Sequence, residues 1–155
     1  MPYTGEESRN IKSLSQQEVA GYLAGKGMGF AKAAELNGYP GPAHVLELAD
    51  KLALTPAQKA RTEEIFGQMQ LRARELGARL VQAERGLDES FASKTISRES
   101  LATSMQAIAS LQSEIRGTHL QAHLEQNEIL TQAQTAMYWH LRGYSDADSR
   151  LHHKH

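Results

Sequence analysis

The sequence predicts an all-α protein, and three observations carry that prediction. Apolar residues recur at helical spacing through two long stretches, roughly 56–92 and 97–128, with no alternating stretch that reads as a strand. Three Leu-Ser/Thr-x-x-Gln/Glu patterns, at residues 14–18, 54–58 and 130–134, mark helix starts. Gly and Pro concentrate in residues 25–42 and are sparse in both long stretches. The expected architecture is a long antiparallel helical hairpin, with short helices folded back at the corners "LTPAQ" and "LTQAQ".

Residues 1–42 form an N-terminal segment rich in Gly and Pro, with two short helical pieces near 15–24 and 29–36 and a turn at Asn37-Gly38. Its apolar residues Ile11, Leu14, Val19, Tyr22, Leu23, Met28 and Phe30 are expected to pack on the hairpin. The hairpin domain itself covers 43–143. Val45, Leu48, Ala49 and Leu52 mark a short helix that ends near Ala53, because Thr55 precedes Pro56 and avoids the α region. Thr55 is an N-cap, Pro56 fits the first helical position and Gln58 sits at N3, so "LTPAQ" is a sharp corner between helices.

In the first long helix Phe66, Met69, Ala73, Leu76, Leu80, Ala83 and Leu87 step alternately by three and four. That is a heptad seam and calls for a partner along its length. Gly77 and Gly86 lie within it and are expected to permit a curve or a close crossing. "SFASKTIS" (90–97) is the turn, with Ser97 as the next cap. Leu101, Met105, Ile108, Leu111, Ile115 and Ala122 line one face of the second long helix. Leu120 and Leu124 lie nearly opposite, which predicts cover on two sides there. After the Leu130-Thr131-Gln134 corner a last helix carries Ala133, Met137, Tyr138 and Leu141 and stops at Gly143. Residues 144–155 read as a disordered tail whose His152, His153 and His155 can capture metal loosely, the alternative being an ordinary short His-rich end with no specific role.

Of 155 residues, 17 are Lys or Arg and 18 Asp or Glu, a formal net charge of −1 that gives no footprint for nucleic acid. No stretch is long and apolar enough for membrane insertion. The absence of cysteine excludes disulfides, thiolate metal sites and cysteine nucleophiles. The N-terminus lacks the basic and apolar regions of a signal peptide. No nucleophile elbow, phosphate-binding loop or paired carboxylates point to an enzyme, and no organic cofactor is implied.

The sharpest chemical candidate is the His119/His123 pair in "GTHLQAHLEQ". Imidazoles one helical turn apart can hold a divalent ion. A turn near 92–97 sets His123 opposite Phe66, with Glu63 and Glu64 within a turn of it as carboxylate donors. The alternative is a hydrogen-bonded, pH-sensitive histidine cluster at the hairpin base or dimer interface. Met28, Met69, Met105 and Met137 are read as core filler before soft ligands. Glu84, Asp88 and Glu89 are read as a solvated rim facing Lys94 and Arg98 across the turn.

Leu54-Thr55-Gln58 and Leu130-Thr131-Gln134, placed at the two ends of a helical hairpin, resemble the paired LTxxQ motifs of the Spy/CpxP family of bacterial periplasmic stress proteins. The segment from Gly27 through Gln58 is closer to the heavy-metal-resistance and metal-sensor branch. The resemblance implies a periplasmic, non-enzymatic, commonly dimeric protein that senses metal or acts as a chaperone-like adaptor. Its expected partners are a second copy of the chain, unfolded clients, or a membrane sensor or anti-sigma protein. The metal-sensing relatives bind nickel or cobalt through paired histidines, a glutamate and a further histidine. By that likeness His119 and His123, with Glu63 or Glu64 and His44, would hold Zn²⁺, Ni²⁺ or Co²⁺, although Leu48 stands where a second histidine beside His44 is expected. The competing readings are a metal-independent chaperone and a purely structural helical interaction module.

Overall fold

The computed structural model describes residues 2–145; the tail histidines lie outside the described residues. The described chain is all-helical. A 3-10 turn (Glu6–Ser8) precedes α1 (Gln16–Ala24), α2 (Lys32–Glu35), α3 (Pro42–Glu47), α4 (Pro56–Ala92), α5 (Arg98–Ile129) and α6 (Gln132–Leu141), with no strand among these residues. No helix among them is long and apolar enough to cross a membrane.

The helix starts are built as their sequences dictate. Ser15 and Glu18 form a reciprocal capping box on α1, and Thr131 and Gln134 form one on α6. Thr55 and Gln58 exchange the same two bonds at 3.0 Å on α4. At α5, Ser97 accepts from the Ser100 amide while the Ser100 hydroxyl accepts from the Ser97 amide. Each box satisfies two backbone donors that a helix start leaves without partners. The α3 helix is shorter than its apolar spacing suggests. It ends at Glu47, and turns carry the chain to Ala53 at φ 53.

The chain divides into two compact units, one of Met1–Phe30 with Met69–His119, the other of Ala31–Gln68 with Leu120–His155. Residues 31–42, grouped with the N-terminus by composition, fall in the second. The first unit is cored by Leu76, Leu80, Ile108, Leu111 and Ile115, with Tyr22, Phe30, Ala83 and Leu87 packed against them. Val81 is also buried although it lies beside the heptad seam, so α4 buries a broader stripe than a two-helix seam requires. Gly77 gives the close crossing: a Cβ there would run into the Tyr22 carbonyl at the end of α1. Gly86 meets nothing within 4 Å.

Other expectations from spacing are corrected. Of the N-terminal apolar residues, Ile11 is buried, whereas Leu23 and Met28 are exposed. Met105 and Met137 are exposed as well, because periodicity marks a stripe without saying whether a neighbour reaches it. On α5, Leu120 is half-buried and Leu124 is 53% exposed, so the second side is open at Leu124. Two of the acidic run, Glu84 and Asp88, face the N-terminal arm instead of the turn, while Glu89 is exposed. Asp88 accepts from the Lys12 amide at 2.8 Å and from its ammonium at 3.2 Å, and Glu84 accepts from the Ser13 hydroxyl at 3.0 Å.

Candidate functional site

The unusual chemistry of the second unit lies in two polar assemblies, one at each end of α6. The first joins the two corners. Gln58 Nε2 donates to Gln134 Oε1 at 2.8 Å, and Gln134 Nε2 donates to Gln58 Oε1 at 2.9 Å. The remaining amide protons go to backbone carbonyls, Gln58 to Ile129 at 2.9 Å and Gln134 to Leu52 at 3.2 Å. Each side-chain oxygen also accepts from its own cap amide, at Thr55 and Thr131. A primary amide has two donors and two acceptor lone pairs, and both glutamines use all of them. Asparagine is too short for this role and glutamate lacks the donors.

Beneath the clasp, Gln126 and Thr62 are fully buried. Gln126 Nε2 donates to the Thr62 hydroxyl at 2.9 Å, and that hydroxyl donates to the Gln58 carbonyl at 2.7 Å. That carbonyl is the main-chain one, not the clasp amide, so the buried pair is a separate link between α4 and α5. Gln126 Oε1 is buried without a hydrogen-bond partner among the described residues. Buried polar networks are directional and depend on every member being satisfied.

The second assembly centres on Glu35, a residue that sequence reasoning missed. α2 is a single helical turn that sets its carboxylate among side chains roughly 90 to 110 positions away, a separation that no local pattern signals. The Tyr138 hydroxyl lies 2.9 Å from Oε1 and 3.0 Å from Oε2, and donates its one proton to this carboxylate. Tyr144 donates to Oε2 at 2.9 Å, and Arg142 Nε lies 3.4 Å from the same oxygen. Gly143 at φ 83 makes the turn that brings Tyr144 back. The Tyr138 oxygen also accepts from the Gly41 amide at 3.3 Å. Burial and the adjacent Glu35 charge raise the Tyr138 phenol well above its ordinary value, which keeps it a donor. Tyr144 is raised as well, by burial first and by its hydrogen bond to Glu35 second.

His123 belongs to this assembly. Its Nδ1 lies 2.7 Å from the Tyr39 carbonyl, which can only accept, so Nδ1 carries the proton. The same nitrogen is 3.9 Å from Glu35. The other edge of the ring lies on Gly41, where an added Cβ would stand 2.8 Å from both Cε1 and Nε2. Close approach, not backbone angle, is what asks for glycine there, since Gly41 has φ −92.

The remaining sequence-derived ligand candidates are dispersed. His119 is buried in the first unit and stacks on Phe30 with ring centroids 5.7 Å apart. Glu63 and Glu64 are exposed, and Glu64 pairs with Arg61 at 3.2 Å. His44 is 3.1 Å from Glu47 and 3.4 Å from Arg142. Among the described residues no three His, Cys, Asp or Glu side chains come together as a group that could hold a metal ion. The carboxylate beside His123 is Glu35, with the Arg142 guanidinium next to it. No family model matches this chain, and neither does any curated protein or solved structure.

Proposed function

We propose that the chain is a non-enzymatic helical stress protein of the Spy/CpxP type that works in the bacterial periplasm as a chaperone-like adaptor. The observation that supports this reading best is the joining of the two L-T-x-x-Q corners through one reciprocal amide pair. A capping box at a single corner is served by Ser or Thr with Glu or Gln, as Ser15 and Glu18 serve it at α1. Glutamate would cap each corner as well, and the choice of glutamine at both gains a reason where the two amides meet. The pairing therefore makes the repeated motif one device instead of two coincident helix starts.

A long antiparallel hairpin of α4 and α5, assembled as a dimer, is part of the same proposal. Its support within the second unit is that Gln58 bonds Ile129 and Thr62 bonds Gln126, so partner numbers fall on α5 as they rise on α4. On this reading exposed Leu71 on α4 and Leu124 on α5, one in each unit, are the apolar contact points for an unfolded client or a membrane sensor domain. The test is suppression of aggregation of an unrelated unfolding client at stoichiometric ratios. Suppression that weakens in the Leu71→Gln/Leu124→Gln variant supports the reading; no suppression, with or without metal, overturns it.

Metal response through His119 and His123 is the second reading, favoured by two buried imidazoles one turn apart on α5. It requires His123 to release the Tyr39 carbonyl or to bind through Nε2. Calorimetric titration with Zn²⁺ and Ni²⁺, repeated with His119→Ala/His123→Ala and with the tail removed, separates the cases. Heat confined to the tail-bearing proteins contradicts a helical site.

A further inference from the structure

The attachments of α6 are distributed unevenly along its length. Only Tyr138 of this ten-residue helix is fully buried, packed with Val45 and Leu52. Leu141 is half-buried against the same cluster, and Met137 is 44% exposed. The rest of its hold is polar and sits at its two ends. The N-terminal end has the Thr131 cap and the Gln58–Gln134 clasp, neutral bonds tied to backbone on both sides. The C-terminal end converges on one anion, Glu35, which receives Tyr138, Arg142 and Tyr144 together.

We propose that α6 opens from its C-terminal end, with the glutamine clasp as the hinge that holds its first turn and the Glu35 carboxylate as the latch on residues 138–144. Bonds to a carboxylate are stronger than neutral ones, and two phenol donors and one guanidinium gathered on a single anion weaken together when its charge is removed. Loss of the Glu35 charge frees residues 138–144 while the first turn of α6 stays capped. Opening lifts Tyr138 from its seat against Val45 and Leu52 and releases the Gly41 amide from the phenol oxygen. His123 keeps its bond to Tyr39, because that bond does not pass through Glu35. Tyr138 and Leu141 are the apolar contacts that such an opening must break, and a segment held by so few can open locally, below the free energy of global unfolding.

Residue-resolved hydrogen exchange on the full chain tests this, with Glu35→Gln as the variant. The amides to follow are Arg142, Gly143 and Tyr144, bonded to the carbonyls of Tyr138, His140 and Trp139, together with Gly41. The expected result is exchange faster by roughly tenfold or more at these amides. Gln134 and Thr135, bonded to Thr131, and the α5 amides around Ile115 should change little. Trp139, the sole tryptophan, stacks near Tyr144 at 4.7 Å and should report the release by a change in fluorescence. Unchanged exchange at residues 142–144 overturns the latch, and equal acceleration at Gln134 and Thr135 overturns the hinge. Should Glu35→Gln unfold the chain, Tyr144→Phe decides, since it removes one donor and leaves the carboxylate. A smaller acceleration at the same amides supports the proposal, and none overturns it.

Discussion

The two units of this chain are held together by different chemistry. In the first, five buried aliphatic side chains make the core, and the described polar contacts to the N-terminal arm lie at its edge. In the second, the buried apolar cluster is Val45, Leu52 and Tyr138, while amides, hydroxyls and a carboxylate join segments distant in sequence. Apolar burial is non-directional and scales with area. A polar network is directional, and each member left without its partner costs its full desolvation. The first unit should therefore lose stability in proportion to volume removed, and the second in proportion to bonds left unmade.

The largest effects should come from the first unit's core. Leu80 is 1% exposed, and Leu80→Ala should cost ~2–5 kcal/mol in urea unfolding. A loss below ~1 kcal/mol would show that this packing is not what holds the unit. Gly77→Ala should be comparably severe, because its Cβ meets backbone that cannot rotate away. In the second unit Gly41→Ala pushes on the His123 ring, a side chain that can move, so the expected cost is about 1–3 kcal/mol. Its His123 resonances should shift in NMR, and unshifted resonances would contradict the close approach.

The smallest effect concerns pH and the N-terminal arm. The backbone bond from Lys12 is the main cause that holds the Asp88 carboxyl below its ordinary value, with the Lys12 ammonium adding to it. A depressed folded-state pKa means the stabilisation is fully present above the unfolded value and is lost as pH falls through the folded one. Acidification below the ordinary aspartate range should thus loosen the arm, seen as faster exchange at the Lys12 amide. Asp88→Asn should remove most of that pH dependence. An arm whose protection is unchanged by either treatment is not held by Asp88.

The same contrast explains what can be read in the sequence. The limits of α4 and α5, the caps at Ser15, Thr55, Ser97 and Thr131, and the aliphatic core are written in local period and spacing. Glu35 is written in none of these, since its partners come from α6, the turn after it and α5. Tyr138 shows as one more apolar position on a stripe, and its hydroxyl, the part that organises the site, has no period. Glu63 and Glu64 are near His123 by counting along helices, yet they point to solvent while a residue of the N-terminal region supplies the carboxylate. The cap role of Gln58 and Gln134 is legible at each corner; their bond to each other is not, because it depends on where the corners meet.

That bond is the place to test whether the corners act together. Gln58→Ala, Gln134→Ala and the double variant form a cycle whose interaction energy isolates the clasp from the two caps. If the corners work as one device, urea unfolding should give a coupling of ~1 kcal/mol or more, with each single variant already carrying most of the loss. Additivity within about 0.3–0.5 kcal/mol would mean two independent helix caps, and would contradict a paired motif that works as one device.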